Sequence, residues 1–302
     1  MHPASPVRII EPYPFTYRFQ VKPNEEGMPL IEVLIQRFSY RSVQIWRERI
    51  EQGDVLLDNQ VIESEVRLRA NQQISISHPR VVEPSVPDGV RIHIEHSDYL
   101  LVEKPAPMPV HSGGRYHKNT LLSILEQMGY SDLKTVHRLD AVTSGLILLA
   151  RNTSFARAAT RAFTSSGVQK TYYALVMGSP LDDTFTVDRP IFRKKGFVFD
   201  SGWVDGAQEA QTLFEVVHRY EKASLVCCKP VTGRTHQIRL HLRDVGCPIA
   251  GDLVYQSYQE SWIQNRPIAL FNAGLCLPDV DLDLQIAYPQ EWNTPEGFHS
   301  YL

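Results

Sequence analysis

Asp140 is the side chain in this sequence best placed to act as a nucleophile or base. It closes the stretch Val136-His137-Arg138-Leu139-Asp140, which is followed by Thr143-Ser144-Gly145 and the apolar run Leu146-Ile147-Leu148-Leu149-Ala150. A carboxylate in a polar turn that runs straight into a buried strand is held rigidly at the rim of a core, where a reacting group has to be fixed. Thr143 and Ser144 can satisfy backbone groups in the turn, and Gly145 permits close backbone approach as the strand begins.

Two later segments supply partners of other types. In Gln169-Lys170-Thr171-Tyr172-Tyr173-Ala174-Leu175-Val176-Met177-Gly178, strand alternation puts Tyr172 and Ala174 on one face and Tyr173 and Leu175 on the other. One tyrosine can then face the core and the other a cleft, where a phenol stacks on a flat base and its hydroxyl finds a polar partner. The third segment runs from Val231-Thr232-Gly233-Arg234 through Thr235-His236-Gln237-Ile238-Arg239 to Arg243, and on to Gly251-Asp252. Thr235 is the expected N-cap, with Ile238, Leu242 and Val245 as a buried stripe and Gly246 and Pro248 as stops. Arg239 and Arg243 share an adjacent face one turn apart. Arg234 and His236 beside a glycine-led helix start suit a phosphate.

Net charge over the 302 residues is -3, which disfavours a partner held by bulk charge alone. From Arg219 to Arg243 the chain nevertheless carries Arg219, Lys222, Lys229, Arg234, Arg239 and Arg243 against Glu221, a local basic surface. Other chemistries lack their signatures. His236 and His241 are five apart with no HExxH glutamate, and no Walker A, GxGxxG or GxSxG sequence occurs. Cys227 and Cys228 are adjacent while Cys247 and Cys276 stand alone, so neither a disulfide framework nor a zinc site is expected, and buried thiols in a reducing cytoplasm are. The proline-punctuated N-terminus has no apolar h-region, and no run approaches the roughly 20 apolar residues of a membrane span.

The elements that must position these residues follow from pattern. Hydrophobic residues at 43% and charged residues at 22% exclude disorder over most of the length. Residues 1–27 read as an irregular arm. Residues 28–78 read as helix, helix, strand, strand: Leu30, Ile31, Leu34, Ile35 and Phe38 recur at helical spacing, as do Val43, Ile45, Trp46 and Ile50. Ser42 caps the second helix and Gly53 ends it. Residues 79–89 read as a proline-rich linker. Residues 90–302 carry many short β-rich runs, among them 100–103, 171–176, 212–217 and 224–227, and are expected to form an α+β domain on a mixed or antiparallel sheet.

The three chemical segments, in this order and spacing, resemble the RluA family of pseudouridine synthases. The resemblance runs from about Ile94 to Ala273 and takes in Glu103-Lys104-Pro105 and His111. Residues 28–78 resemble the small S-four-like RNA-binding module, an α/β companion domain in that family. Ala141-Val142 replaces the family's usual charged pair after the aspartate, and Pro107 stands where a glycine is common. Both departures bear on substrate detail more than on activity.

That resemblance implies a pseudouridine synthase catalytic domain isomerising specific uridines in structured RNA, either large-subunit rRNA or tRNA. Asp140 would be the essential carboxylate, attacking the ribose anomeric carbon or the uracil ring, or assisting a glycal route. Tyr172 would stack on the extruded base and Arg239 would pair with Asp140. Flipping the nucleotide costs roughly a few kcal/mol, and Arg138 would fill the vacated space or hold the flipped strand. Arg234 and Arg243 would contact phosphates. His137, Thr143, His236 and Gln237, with Arg41 and Arg47 of the S-four-like module, complete the expected RNA-contacting set. No cofactor or metal is implied, and a cytoplasmic monomer is. Two rival readings are a non-catalytic RNA-binding protein, which would bind without product, and a nucleoside or glycoside hydrolase, which needs a second carboxylate.

Overall fold

Tyr99–Lys104 and Ser144–Ala150 are almost continuously apolar, and they lie side by side as antiparallel interior strands of a ten-stranded sheet. Strands buried on both faces read this way. Ile147 and Leu149 pack into one core with Leu121, Ile124, Leu125, Ile238 and Leu242. Leu146, Leu148 and Ala150 pack into another with Phe155, Ala159 and Ala162. Each such side chain contributes about 1.5–3 kcal/mol of burial free energy, so the strand leaving the Asp140 turn is firmly anchored.

The computed structural model describes residues 7–39, 41–63, 66–165, 167–196, 198–256, 266–294 and 301. Positions 1–6 of the expected arm, and 257–265 and 295–300 of the expected catalytic domain, lie outside them. Residues 10–83 form one compact unit, and the described residues on either side of that range form the other.

In the larger unit the strand order is Thr184–Asp188, Gln211–Arg219, Ala223–Pro230, Gln169–Met177, Leu270–Leu277, Ser144–Ala150, Tyr99–Lys104, Arg91–Glu95. Every neighbouring pair along this path is antiparallel except Ser144–Ala150 with Leu270–Leu277. The sheet is therefore mixed and the class α+β. At the parallel junction Gly145 has φ 110°, and a Cβ there would lie 2.3 Å from the Asn272 carbonyl oxygen. Gly145→Ala is expected to destabilise the chain by about 3 kcal/mol or more, from left-handed strain plus overpacking. Urea unfolding checks this, and a loss below 1 kcal/mol would show that the junction yields.

In the 10–83 unit, Leu30–Arg37 and Val43–Glu51 are helices over a sheet ordered Tyr13–Gln20, Gln73–Val81, Val55–Leu57, Gln60–Val61. Ser42 caps the second helix through Ile45 N–H at 3.4 Å, and Gly53 follows it at φ 76°. Trp46 and Ile50 enter the core, while Val43 and Ile45 face solvent.

The irregular-arm reading of 1–27 is corrected here. Tyr13–Gln20 is an eight-residue edge strand paired with Gln73–Val81. Its prolines concealed it, but Pro14 falls at a register shift on an edge strand, where no ladder donor is lost. The linker reading of 79–89 is corrected too. Its first residues finish the Gln73–Val81 strand, and Val86–Pro87 pairs with Val7–Arg8.

Candidate active site

The turn that bears Asp140 is fastened from several directions. Thr143 N–H donates to the Asp140 carbonyl at 3.1 Å, and Met108 N–H donates to the Ala141 carbonyl at 2.8 Å. Lys104 is fully buried, and its ammonium donates to the carbonyls of Met108, Pro105 and Ala141 at 2.8, 3.1 and 3.4 Å. Burial pushes that ammonium down to about 7, with the Asp140 charge opposing the shift. His137 accepts from Leu148 N–H through Nε2 at 2.9 Å and stacks on Phe163 at 4.3 Å. These contacts tie the turn to the Ser144–Ala150 strand and to the helix Thr153–Thr164.

The third segment enters its helix, Gln237–Asp244, through an unusual residue. His236, and not Thr235, is the N-cap, with φ 58° and ψ 19°, and it forms no side-chain cap bond. Gln237 organises the entry instead. Its Oε1 accepts from Thr232 Oγ1 at 2.7 Å and Arg234 N–H at 2.9 Å. Its Nε2 donates to the Gln211 carbonyl and Thr212 Oγ1, both at 2.9 Å. All four bonds an amide can make are used, so the 232–236 loop is fixed to the sheet. Ile238 and Leu242 are buried as expected. Val245 is not, being 39% exposed where the helix ends before Gly246.

Asp140 and Arg239 meet in the cleft between these segments. Arg239 Nη1 lies 3.3 Å from Asp140 Oδ2, and His236 Nε2 lies 3.5 Å from the same oxygen. Oδ1 carries no hydrogen bond among the described residues. Arg239 has a second and tighter partner. Its Nε and Nη2 donate to the two oxygens of Asp252 at 2.7 and 2.8 Å, a bidentate pair with both side chains buried. Burial alone would raise the Asp140 carboxyl, but His236, Arg239 and Arg138 together hold it below its ordinary value.

Tyr172 lines the same cleft, and its hydroxyl has no hydrogen-bond partner among the described residues. Burial first, and then the Asp140 charge, push the phenol well above its ordinary range, so it is neutral at physiological pH. Tyr173 points the other way, onto Tyr288 at 4.5 Å. Lys170 donates to the Thr232 carbonyl at 3.0 Å, and burial lowers its ammonium to about 8. The cleft encloses about 290 Å³. Of the residues singled out in the sequence, it is lined by Asp140, Tyr172, Arg239, Arg138, His137, Thr143, Arg234, His236 and Gln237.

Four of the expected RNA contacts have partners within the protein. His137 and Gln237 line the cleft, but their polar atoms are engaged in holding backbone. Arg243, expected on phosphate, is claimed by Asp200 at 2.8 Å and Asp244 at 2.7 Å, and its guanidinium stands 5.7 Å over Tyr255. Two carboxylates and a ring engage it within the protein. Arg41 lies 5.5 Å over the Trp46 ring in the 10–83 unit, so its guanidinium is in part a packing group. Arg47, in the same unit, is exposed.

Sequence reasoning missed Asp252 and Tyr255. The available signal was a lone acid after Gly251, followed by Leu253-Val254-Tyr255, immediately past a basic helix that needed a counter-ion.

Burial pushes His137 down to about 3 and His236 to about 4, against 6.5 in the unfolded chain. Between pH 6.5 and 4 the unfolded chain binds protons that the folded chain does not, so stability is intact above pH 6.5 and is lost as pH falls through that window. The melting temperature is expected to drop by about 5 °C or more from pH 7 to pH 5. A flat Tm over that range would mean that both imidazoles protonate freely in the fold.

The sequence pattern described as RNA pseudouridylate synthase matches residues 98–244. The Bacillus subtilis protein "Uncharacterized RNA pseudouridine synthase YlyB" is 30% identical over 229 residues, covering 72% of this chain and 75% of the relative. "RNA pseudouridine synthase 7" of Oryza sativa is 34% identical over 258 residues, and "tRNA pseudouridine(32) synthase, mitochondrial" of Saccharomyces cerevisiae is 32% identical over 264. The chain spans 66% of the rice relative's length and 57% of the yeast relative's. Among solved structures, "Human RNA Pseudouridylate Synthase Domain Containing 4" superposes with a TM-score of 0.58 at 26% identity, over 70% of this chain and 92% of that one.

Proposed function

The chain belongs to the RNA pseudouridylate synthase family, and from that premise we propose that it isomerises uridine in RNA to pseudouridine through Asp140. In this reaction the bond from ribose C1′ to N1 breaks and a bond from C1′ to C5 forms. N1 gains a proton and C5 loses one, so atoms and electrons balance without a redox partner. The observation that carries the reading is the asymmetry at Asp140. Arg239 and His236 both approach one oxygen, at 3.3 and 3.5 Å, the other carries no hydrogen bond among the described residues, and Asp140 and Tyr172 line the same cleft.

An ionised carboxylate with one oxygen restrained suits attack on C1′ or on the ring, and equally suits stabilising charge on a glycal route. A neutral Tyr172 suits stacking on the base and is poorly suited to act as a phenolate base. Arg138 is exposed at the rim, in position to hold the strand from which the nucleotide has been flipped. Arg234, whose Nε donates to the Glu209 carbonyl at 2.9 Å, and Lys170 give the wall a positive charge for a phosphate. A hydrolase reading is disfavoured by Asp252, the other carboxylate on Arg239, because both its oxygens are occupied.

The proposed substrate is a structured RNA, large-subunit rRNA or tRNA. The yeast relative's name specifies a tRNA, which favours that class. We read the 10–83 unit as an S-four-like RNA-binding domain with exposed Arg47 on its second helix. A monomer acting without a cofactor is proposed. Free thiols at Cys227, Cys228, Cys247 and Cys276 suit a reducing compartment, for which the cytoplasm is proposed.

The test uses unmodified tRNA and rRNA transcripts carrying tritium at uridine C5, incubated with the purified chain. Tritium released to water in step with pseudouridine in the nucleoside digest is the expected result. Free uracil would establish the hydrolase, and tight binding without either product would establish the non-catalytic reading.

A further inference from the structure

We propose that Tyr255 is a positioning residue for this reaction: its hydroxyl donates to His236 Nδ1, fixing the imidazole tautomer that presents an Nε2–H to Asp140. The inference rests on the proposed function of Asp140 and concerns a residue outside the cleft lining. Tyr255 Oη lies 2.7 Å from His236 Nδ1, and His236 Nε2 lies 3.5 Å from Asp140 Oδ2. Phe199 N–H donates to the same Oη at 3.3 Å. That N–H takes one acceptor site of the oxygen and leaves the hydroxyl's own proton free to donate to the imidazole, with Nδ1 as acceptor.

The ring has little freedom to choose otherwise. Phe199 and Tyr255 meet it edge-on at 5.5 and 5.6 Å, and its left-handed backbone at φ 58° sets the direction of its Cβ. Tyr255 is only 4% exposed, with Arg239 at 4.9 Å and Arg243 at 5.7 Å over its ring. The charged groups facing His236 are Asp140, Arg239, Asp252 and Arg138. Those facing Tyr255 are Arg239, Arg243, Asp252 and Asp140.

The other neutral tautomer would turn the Nε2 lone pair toward a carboxylate oxygen, a repulsive contact in a buried site. An imidazolium would need a proton on Nδ1, facing a hydroxyl whose own hydrogen would have to turn away inside a packed wall. Burial, which pushes His236 down to about 4 and Tyr255 up to about 12, agrees with a neutral ring beside a protonated phenol. A neutral N–H 3.5 Å from Oδ2 orients Asp140 without cancelling its charge, and Oδ1 is left for the substrate. The line of contacts from Tyr255 to His236 to Asp140 thus serves the carboxylate as an orienting chain.

Tyr255→Phe removes the hydroxyl and keeps the ring under both guanidinium groups. The expected result is a fall in kcat of about 10- to 100-fold with KM nearly unchanged. The acid limb of the kcat profile should also move toward neutral pH, because the imidazole is freed to protonate. Nitrogen-15 NMR of the wild-type imidazoles should show His236 as the Nε2–H tautomer over neutral pH, whether or not the chain converts uridine. In a His236→Gln background, where an amide replaces the N–H, the tyrosine change should have no further effect on kcat. A wild-type His236 carrying its proton on Nδ1, a Tyr255→Phe variant with unaltered kcat and pH profile, or additive losses in the double variant would each overturn the proposal. A wild-type chain with no synthase activity would sink the function and leave the tautomer to be decided by NMR.

Discussion

Asp140→Asn is expected to lower pseudouridine formation by at least about a thousandfold, because removing a group that acts directly on the reacting atoms costs more than removing one that orients it. RNA affinity should change by no more than about threefold, since the positive wall and the arginine proposed to hold the flipped strand are untouched. The fold should tolerate the change. Asparagine is the same size, and Arg239 keeps its bidentate partner in Asp252. The open Oδ1 is what the substitution spoils, because an amide cannot carry the negative charge there. Single-turnover rates on the responsive transcript, with filter binding on the same RNA, separate the two effects. A variant retaining a tenth of the wild-type rate would show that the carboxylate is not the acting group.

Asp252→Asn should do the reverse, harming stability first. The Asp252–Arg239 pair is buried, with side chains about 1% and 3% exposed, so removing one charge leaves a guanidinium without its main counter-ion. Breaking such a pair costs about 3–5 kcal/mol. Arg239 would then lean on Asp140 alone, drawing in the oxygen that the substrate needs. A fall in kcat of about tenfold or more should therefore accompany the lower urea midpoint. If Asp252→Asn unfolds within 1 kcal/mol of wild type, water or another acceptor satisfies Arg239 and the bidentate pair is not what holds the helix in place.

Much of this was legible in the residues themselves. Local pattern located the strands around 100–103, 171–176, 212–217 and 224–227, because buried runs and one-face alternation are both written in neighbouring residues. Gly145 could be read as a close approach, since only a missing Cβ allows the Asn272 backbone so near. What stayed hidden depends on contacts distant in sequence. The prolines at 12 and 14 disguised an edge strand whose partner lies some sixty residues away. Arg243 looked like a free phosphate ligand because Asp200, 43 residues earlier, carries no local sign of the pairing. His236 was read for its charge, whereas its surroundings keep it neutral. Asp252 and Tyr255 were passed over for a similar reason. Their roles exist only once the chain after the helix folds back beneath Arg239.

The most direct measurement is a structure of the Asp140→Asn variant bound to its RNA. One uridine should lie outside the helix, with its base face against Tyr172, its C1′ and ring within reach of residue 140, and Arg138 beside the gap in the stack. A target uridine still stacked in its helix, or a base seated on another surface with the cleft empty, would contradict the account.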